Sequence, residues 1–151
     1  MLDKDLNIYN DLDLFMEIFN GISDLVFFIK VDNENIFRYL FMNKQAKKYI
    51  QVKESPIGKT IYEIMPKNMA DLITKQYEEA ISKKACITYE DNLVKWYTNL
   101  EEATNSSSEF KHFETKVSPI LNSTGECTHI IAIVRDITDR KLAEEALKKR
   151  D

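Results

Sequence analysis

The chain has 151 residues, 44% of them hydrophobic and 30% charged, with a formal net charge of -4. That length suits one core burying roughly 70% of the unfolded surface, and the acidic balance excludes a broad phosphate-tracking surface, so no nucleic-acid partner is expected. No stretch approaches the ~20 apolar residues of a membrane span, and residues 1–10 lack the apolar run of a secretory leader, so the expected location is cytoplasmic.

Residues 11–22 place Leu12, Phe15, Phe19 and Ile22 on one face, with Met16 and Ile18 beside it. This predicts an amphipathic helix that Asp11 or Asp13 caps and Gly21 loosens. Residues 25–31 and 36–42 predict two strands joined by the turn residues Asp32-Asn33-Glu34-Asn35. Alternation past Lys30 and Arg38 puts Phe27, Ile29, Val31, Phe37, Tyr39 and Phe41 on one side. Val26, Phe28, Leu40 and Met42 fall on the other. Both faces are apolar, so the second needs a cover, and the helix at 11–22 is the nearest candidate.

Asn43 is placed to cap a short helix over 44–50, and Thr60 starts another over 61–65 that Pro66 stops. Residues 68–84 form the strongest helical pattern, with Met69, Leu72, Ile73, Tyr77, Ala80 and Ile81 at three- and four-residue steps. Residues 86–98 read as a long or interrupted strand and 99–108 as a polar loop. In 110–120, Phe113, Thr115 and Val117 oppose Glu114, Lys116 and Ser118, and a turn at 122–125 leads into a strand over 127–135. That strand runs directly into a helix. Thr138 is expected to cap it, Asp139 to place negative charge at its start, and Leu142, Ala143, Ala146 and Leu147 to form a narrow apolar stripe like the opening of a coiled coil. The order predicts an α+β domain with one antiparallel sheet and its helices gathered on the inner face.

These parts resemble the PAS domain family, the sensory box of bacterial signalling proteins. The resemblance covers about residues 13–140. It rests on the strand ending at Val31-Asp32, Asn43 with Ala46 behind it, Gly58-Lys59-Thr60, Ser118-Pro119-Ile120, Gly125, and above all Arg135-Asp136-Ile137-Thr138-Asp139-Arg140-Lys141. It implies a five-stranded antiparallel sheet with short helices on one face. An N-terminal flanking helix would occupy 1–24, a sensor core 25–136, and the start of a C-terminal signalling helix 137–151. Asp136 and Thr138 are implied to hold the strand-to-helix angle as the signal exit, with Arg140 or Lys141 as candidate cations for Asp136. The implied function is a sensor that binds a small ligand or relays a conformational signal, as a homodimer, to a C-terminal effector such as a histidine kinase or a cyclic-dinucleotide synthase. A ligand-free dimerisation module is the alternative, and a stand-alone enzyme the third reading.

The haem-binding members of that family use a histidine on the long helix, and 68–84 contains none. His112 and His129 fall on strands, opposite Phe113 and Ile130. Light-sensing flavin binding would need a cysteine in the short helix and a glutamine where Val134 stands, so both cofactors are disfavoured and the cofactor is left unknown. Cys86 and Cys127 are isolated thiols in a pattern that fits neither a disulfide framework nor, with the histidines, a zinc site. With three glycines there is no phosphate loop, and no nucleophile–base motif marks an enzyme. The pocket candidates are Phe27, Ile29, Tyr39, Phe41, Leu72, Tyr77, Phe113, Thr115, Ala132 and Val134. These side chains either fill the core or enclose a ligand. Thr115 and the Tyr39 phenol are the obvious polar handles, which suits a small neutral or aromatic molecule. The segment 95–109, with Trp96 and Tyr97 at its entrance, is longer than the family's usual turn and is expected to extend a hairpin, cover the pocket or meet a partner.

Overall fold

The computed structural model describes residues 8–93 and 111–149. The alternating segments become strands β1 (Leu25–Val31), β2 (Phe37–Met42), β3 (Ile87–Leu93), β4 (Lys111–Leu121) and β5 (Cys127–Asp136). They form one sheet in the order β2-β1-β5-β4-β3, with every neighbouring pair antiparallel. The helices are α1 (Ile8–Asn20), α2 (Lys44–Ile50), α3 (Ile61–Ile64), α4 (Lys67–Lys83) and α5 (Thr138–Lys149). The expected α+β architecture is therefore present. The rest of the strand expected over 86–98, with Trp96, Tyr97 and the segment 95–109, lies outside the described residues.

One core lies between the inner sheet face and α2 to α4. Phe27, Ile29, Tyr39, Phe113, Val117, Ile130 and Val134 meet Ile50, Ile61, Met65, Ile73 and Tyr77 there. Ala46, Ala70 and Ala80 are fully buried, and their small side chains let α2 and α4 approach the sheet closely.

The alternation expected for β2 fails at one point. Ile29 pairs with Tyr39 but Phe28 pairs with Phe41, so Leu40 is an extra residue and the ladder bulges there. Past the bulge the faces exchange. Met42 turns inward opposite Phe27 and is buried, while Phe41 turns outward, 5.2 Å from the Phe28 ring and 5.9 Å from that of Phe19. Phe19 meets Phe28 edge-on at 4.8 Å, so the end of α1 covers part of the outer face. Of the four residues expected under this helix, Phe28 is there, Val26 is fully buried, Met42 has gone to the core and Leu40 is exposed.

Asn43 is fully buried just after the bulge. Its side-chain oxygen accepts from the N–H of Ala46 at 3.0 Å, capping α2, and from the N–H of Val26 at 3.1 Å. Its amide nitrogen donates to the carbonyls of Phe19 at 2.9 Å and Asp24 at 2.8 Å. The edge strand β2 is closed by the segment before α3. Gly58, at φ +85°, donates its N–H to the carbonyl of Tyr39, and Tyr39 donates to the carbonyl of Lys59. Arg38 fastens the same corner through Asp32 at 2.6 Å and the Gly58 carbonyl at 3.0 Å. Thr60 and Glu63 then form a capping box that starts α3.

Replacing Asn43 with alanine removes a helix cap and leaves buried backbone groups without partners. The expected loss is about 3 kcal/mol of unfolding free energy, read as a lower urea midpoint at unchanged m-value.

Candidate functional site

Between the inner face of the sheet and α3–α4 the core is incompletely filled. A cavity of about 20 Å³ remains, room for about one water in this side-chain arrangement. Eight of the ten residues expected around a pocket line it: Phe27, Tyr39, Leu72, Tyr77, Phe113, Thr115, Ala132 and Val134. Ile29 is buried in the core but does not line it, and the bulge at Leu40 carries Phe41 to the opposite face. Met65, Met69, Ile73, Tyr89 and Asp91 complete the wall.

Tyr89 and Asp91 are the consequential additions. Ile87, Tyr89 and Asp91 alternate along β3 and face the core, with Tyr89 opposite Thr115 and Asp91 opposite Phe113. The signal was present in that alternation, but an acidic residue at an inward position runs against the usual pattern. His112 and His129 do not line the cavity, and among the described residues no cluster of His, Cys, Asp or Glu could hold a metal ion.

Burial raises the pKa of the Tyr39, Tyr77 and Tyr89 phenols, and neighbouring Tyr39 and Tyr89 raise that of Tyr77 further. The hydroxyl of Thr115 tempers the effect at Tyr89. Among the described residues, no hydrogen bond reaches the hydroxyl of Tyr39 or Tyr77. Burial also raises the carboxyl of Asp91 above its ordinary value. The result is an apolar chamber with phenols and one carboxylate in its wall.

The exit differs from expectation in its detail. Asp136, not Thr138, supplies the cap: its carboxylate accepts from the Thr138 N–H at 2.9 Å and the Thr138 hydroxyl at 2.6 Å. Thr138 is the first residue of α5, and its hydroxyl oxygen accepts from the His112 N–H at 3.0 Å. The Ile137 N–H donates to the His112 carbonyl, and the Ile137 side chain is buried. Three residues thus pin the start of α5 to β4. Partial burial pushes the Asp136 carboxyl up, but the two Thr138 donors and Lys111 outweigh it and hold the pKa below the usual carboxylate range.

The cation beside Asp136 is Lys111, at 3.6 Å, and not Arg140 or Lys141. Those two reach the outer sheet face instead. Lys141 pairs with Glu90 at 2.7 Å, and Arg140 lies 3.7 Å from Glu114 and 3.8 Å from Glu90. On the other side of Phe113 and Val134 an open groove of about 450 Å³ runs between α2 and Asp136.

A family model described as PAS fold matches residues 19–142. Among solved structures, the PAS domain of BvgS from Bordetella pertussis is similar at 17% identity and a TM-score of 0.59, over 94% of this chain and 96% of that one. A sensory box sensor histidine kinase structure from Vibrio cholerae is similar at 16% identity and a TM-score of 0.56, over 87% and 95%. The Vibrio cholerae VqmA dimer is similar at 15% identity and a TM-score of 0.61, over 89% of this chain and 53% of that one. Identities this low establish the fold. No curated protein matches the sequence.

The buried phenols predict a specific alkaline behaviour. Their pKa values are raised in the folded state, so the unfolded chain loses protons first as pH passes about 10. Stability is complete below that pH and falls above it, by up to about 1.4 kcal/mol per pH unit for each tyrosine. Urea unfolding at pH 9 to 11 should show this fall, and Tyr39→Phe should make it shallower.

Proposed function

The chain belongs to the PAS fold family, and on that premise we propose that it is the sensory domain of a signalling protein. In this reading a small ligand enters the chamber beside Tyr39 and Tyr77, and the change passes through α5 to an effector. The observation that carries the reading is the two-sided use of β3. Tyr89 and Asp91 face the cavity, and Glu90 between them faces the other way and holds Lys141 of α5. A ligand that moves Tyr89 or Asp91 moves the backbone carrying Glu90. The exposed pairs of Lys141 and Arg140 are weak enough individually to exchange. The outcome is a shift between two packings of α5, limited by the ligand's differential affinity for them. Met65 and Met69 in the wall are flexible enough to make room for a molecule larger than water. The α5 stripe, with Leu142 and Leu147 exposed, suits a coiled coil leading to a histidine kinase or cyclic-dinucleotide synthase. The sensor histidine kinase among the similar structures supports the first. No described helix is long and apolar enough to cross a membrane.

A second reading, a ligand-free dimerisation module, draws on the small cavity and on α1. Leu14, Phe15, Met16 and Ile18 are all exposed on that helix, an apolar surface that a second copy would cover. The two readings share the dimer and differ over the ligand. Native mass spectrometry of the purified chain separates them by the presence or absence of a bound small molecule.

Glu90→Lys should speed amide exchange in the first turns of α5 while leaving exchange in β1 and β5 unchanged. Unchanged exchange in α5 would remove β3 as the route to the exit. Phe15→Asp should convert a sedimenting dimer to monomer with little loss of thermal stability, because Phe15 is 59% exposed. Phe19 to a polar residue should also unfold the cover over Phe28, which separates docking from folding.

A further inference from the structure

We propose that the chamber takes a small organic ammonium ion, with Asp91 as its counter-ion and the rings of Tyr39, Tyr77 and Tyr89 as the wall around its charge. This rests on the pocket reading above and names the class of molecule it accepts. It also replaces the neutral ligand expected from Thr115 and Tyr39 alone.

The argument starts from the imbalance in the wall. Among the described residues, Asp91 is its one acidic residue, and no lysine, arginine or histidine lines the cavity. Among the described residues, no ion pair or hydrogen bond reaches the Asp91 carboxylate. The nearby cations among the described residues are committed elsewhere. Lys111 lies with Asp136, while Lys141 and Arg140 lie with Glu90 and Glu114 on the reverse face. Burial makes the charged carboxylate costly and raises its pKa.

The rest of the wall selects among molecules that could relieve it. An anion would be repelled by Asp91, and a neutral molecule would leave the carboxylate unpaired. A cation meets both the carboxylate and the aromatic ring faces, which attract positive charge electrostatically. The Tyr39 and Tyr77 hydroxyls, which take no hydrogen bond from other described residues, can each accept from an ammonium N–H. Met65, Met69 and Leu72 offer an apolar surface for a short alkyl chain, and the thioethers can shift to admit it. An inorganic cation, having no alkyl chain, would gain nothing from that apolar side.

The test compares n-butylammonium with 1-butanol, which share a chain and differ in charge, by calorimetric titration of the purified chain. Butylammonium should bind about tenfold more tightly. Asp91→Asn should abolish the preference for the charged probe. Tyr89→Leu, which removes a ring face and keeps the carboxylate, should weaken the preference and serves as an independent variant. Equal binding of the two probes to the unmodified chain, or a preference that survives both substitutions, overturns the ammonium assignment and leaves the pocket reading intact. Binding of neither probe overturns both.

Discussion

A single carboxamide, buried where β2 ends, holds four segments of the chain at once. The oxygen of Asn43 takes the N–H of Val26 in β1 and the N–H of Ala46 in α2, and its nitrogen reaches the carbonyls of Phe19 in α1 and Asp24 before β1. Each backbone group would otherwise need water in a place the fold has closed. An amide suits the task because it donates and accepts from one planar group; aspartate could only accept, and alanine could do neither. The flanking helix, the first strand and the first inner helix are therefore positioned by one residue, and the sheet and chamber are built outward from it.

The bulge at Leu40 acts just ahead of that point. One extra residue reverses the facing of everything after it, so the same short strand contributes Tyr39 to the chamber, Phe41 to the outer cover and Met42 to the core. Without the extra residue Phe41 would compete for space with the inner wall and α1 would lose its aromatic footing. The Gly58 turn fixes the other end of β2, by hydrogen bonds that occupy the exposed edge and by the grip of Arg38. The chamber thus has a rigid side at Tyr39 and an adaptable side at Met65 and Met69.

β3 separates two electrostatic environments by the thickness of one strand. Inside, phenols and a carboxylate stand in apolar surroundings where a single charge matters greatly. Outside, Glu90, Glu114, Arg140 and Lys141 form solvent-facing ion pairs, where each pair is worth little. The pins at Asp136, Ile137 and Thr138 hold the start of α5 independently of these outer pairs.

Local chemistry in the sequence was enough to determine the element order, the antiparallel α+β architecture, the cap at Asn43, the breaks at Gly58 and Pro66, and most of the inner wall. Those features depend on residues close in the chain or on a repeat of two or of three to four. What escaped depended on pairing between distant segments. A bulge is visible only against its partner strand, so Phe41 and Met42 were assigned to exchanged faces. The true cap of α5 was hidden because Thr138 has the right chemistry for the role, and only the approach of the His112 N–H diverts its hydroxyl. Asp91 was not singled out within its strand, because only the pairing with Phe113 places it in the cavity wall, and Arg140 and Lys141 reach Glu90 only because the sheet brings distant residues to one surface. Periodicity reports which residues can be buried together; the strand register, set by long-range hydrogen bonds, decides which of them meet.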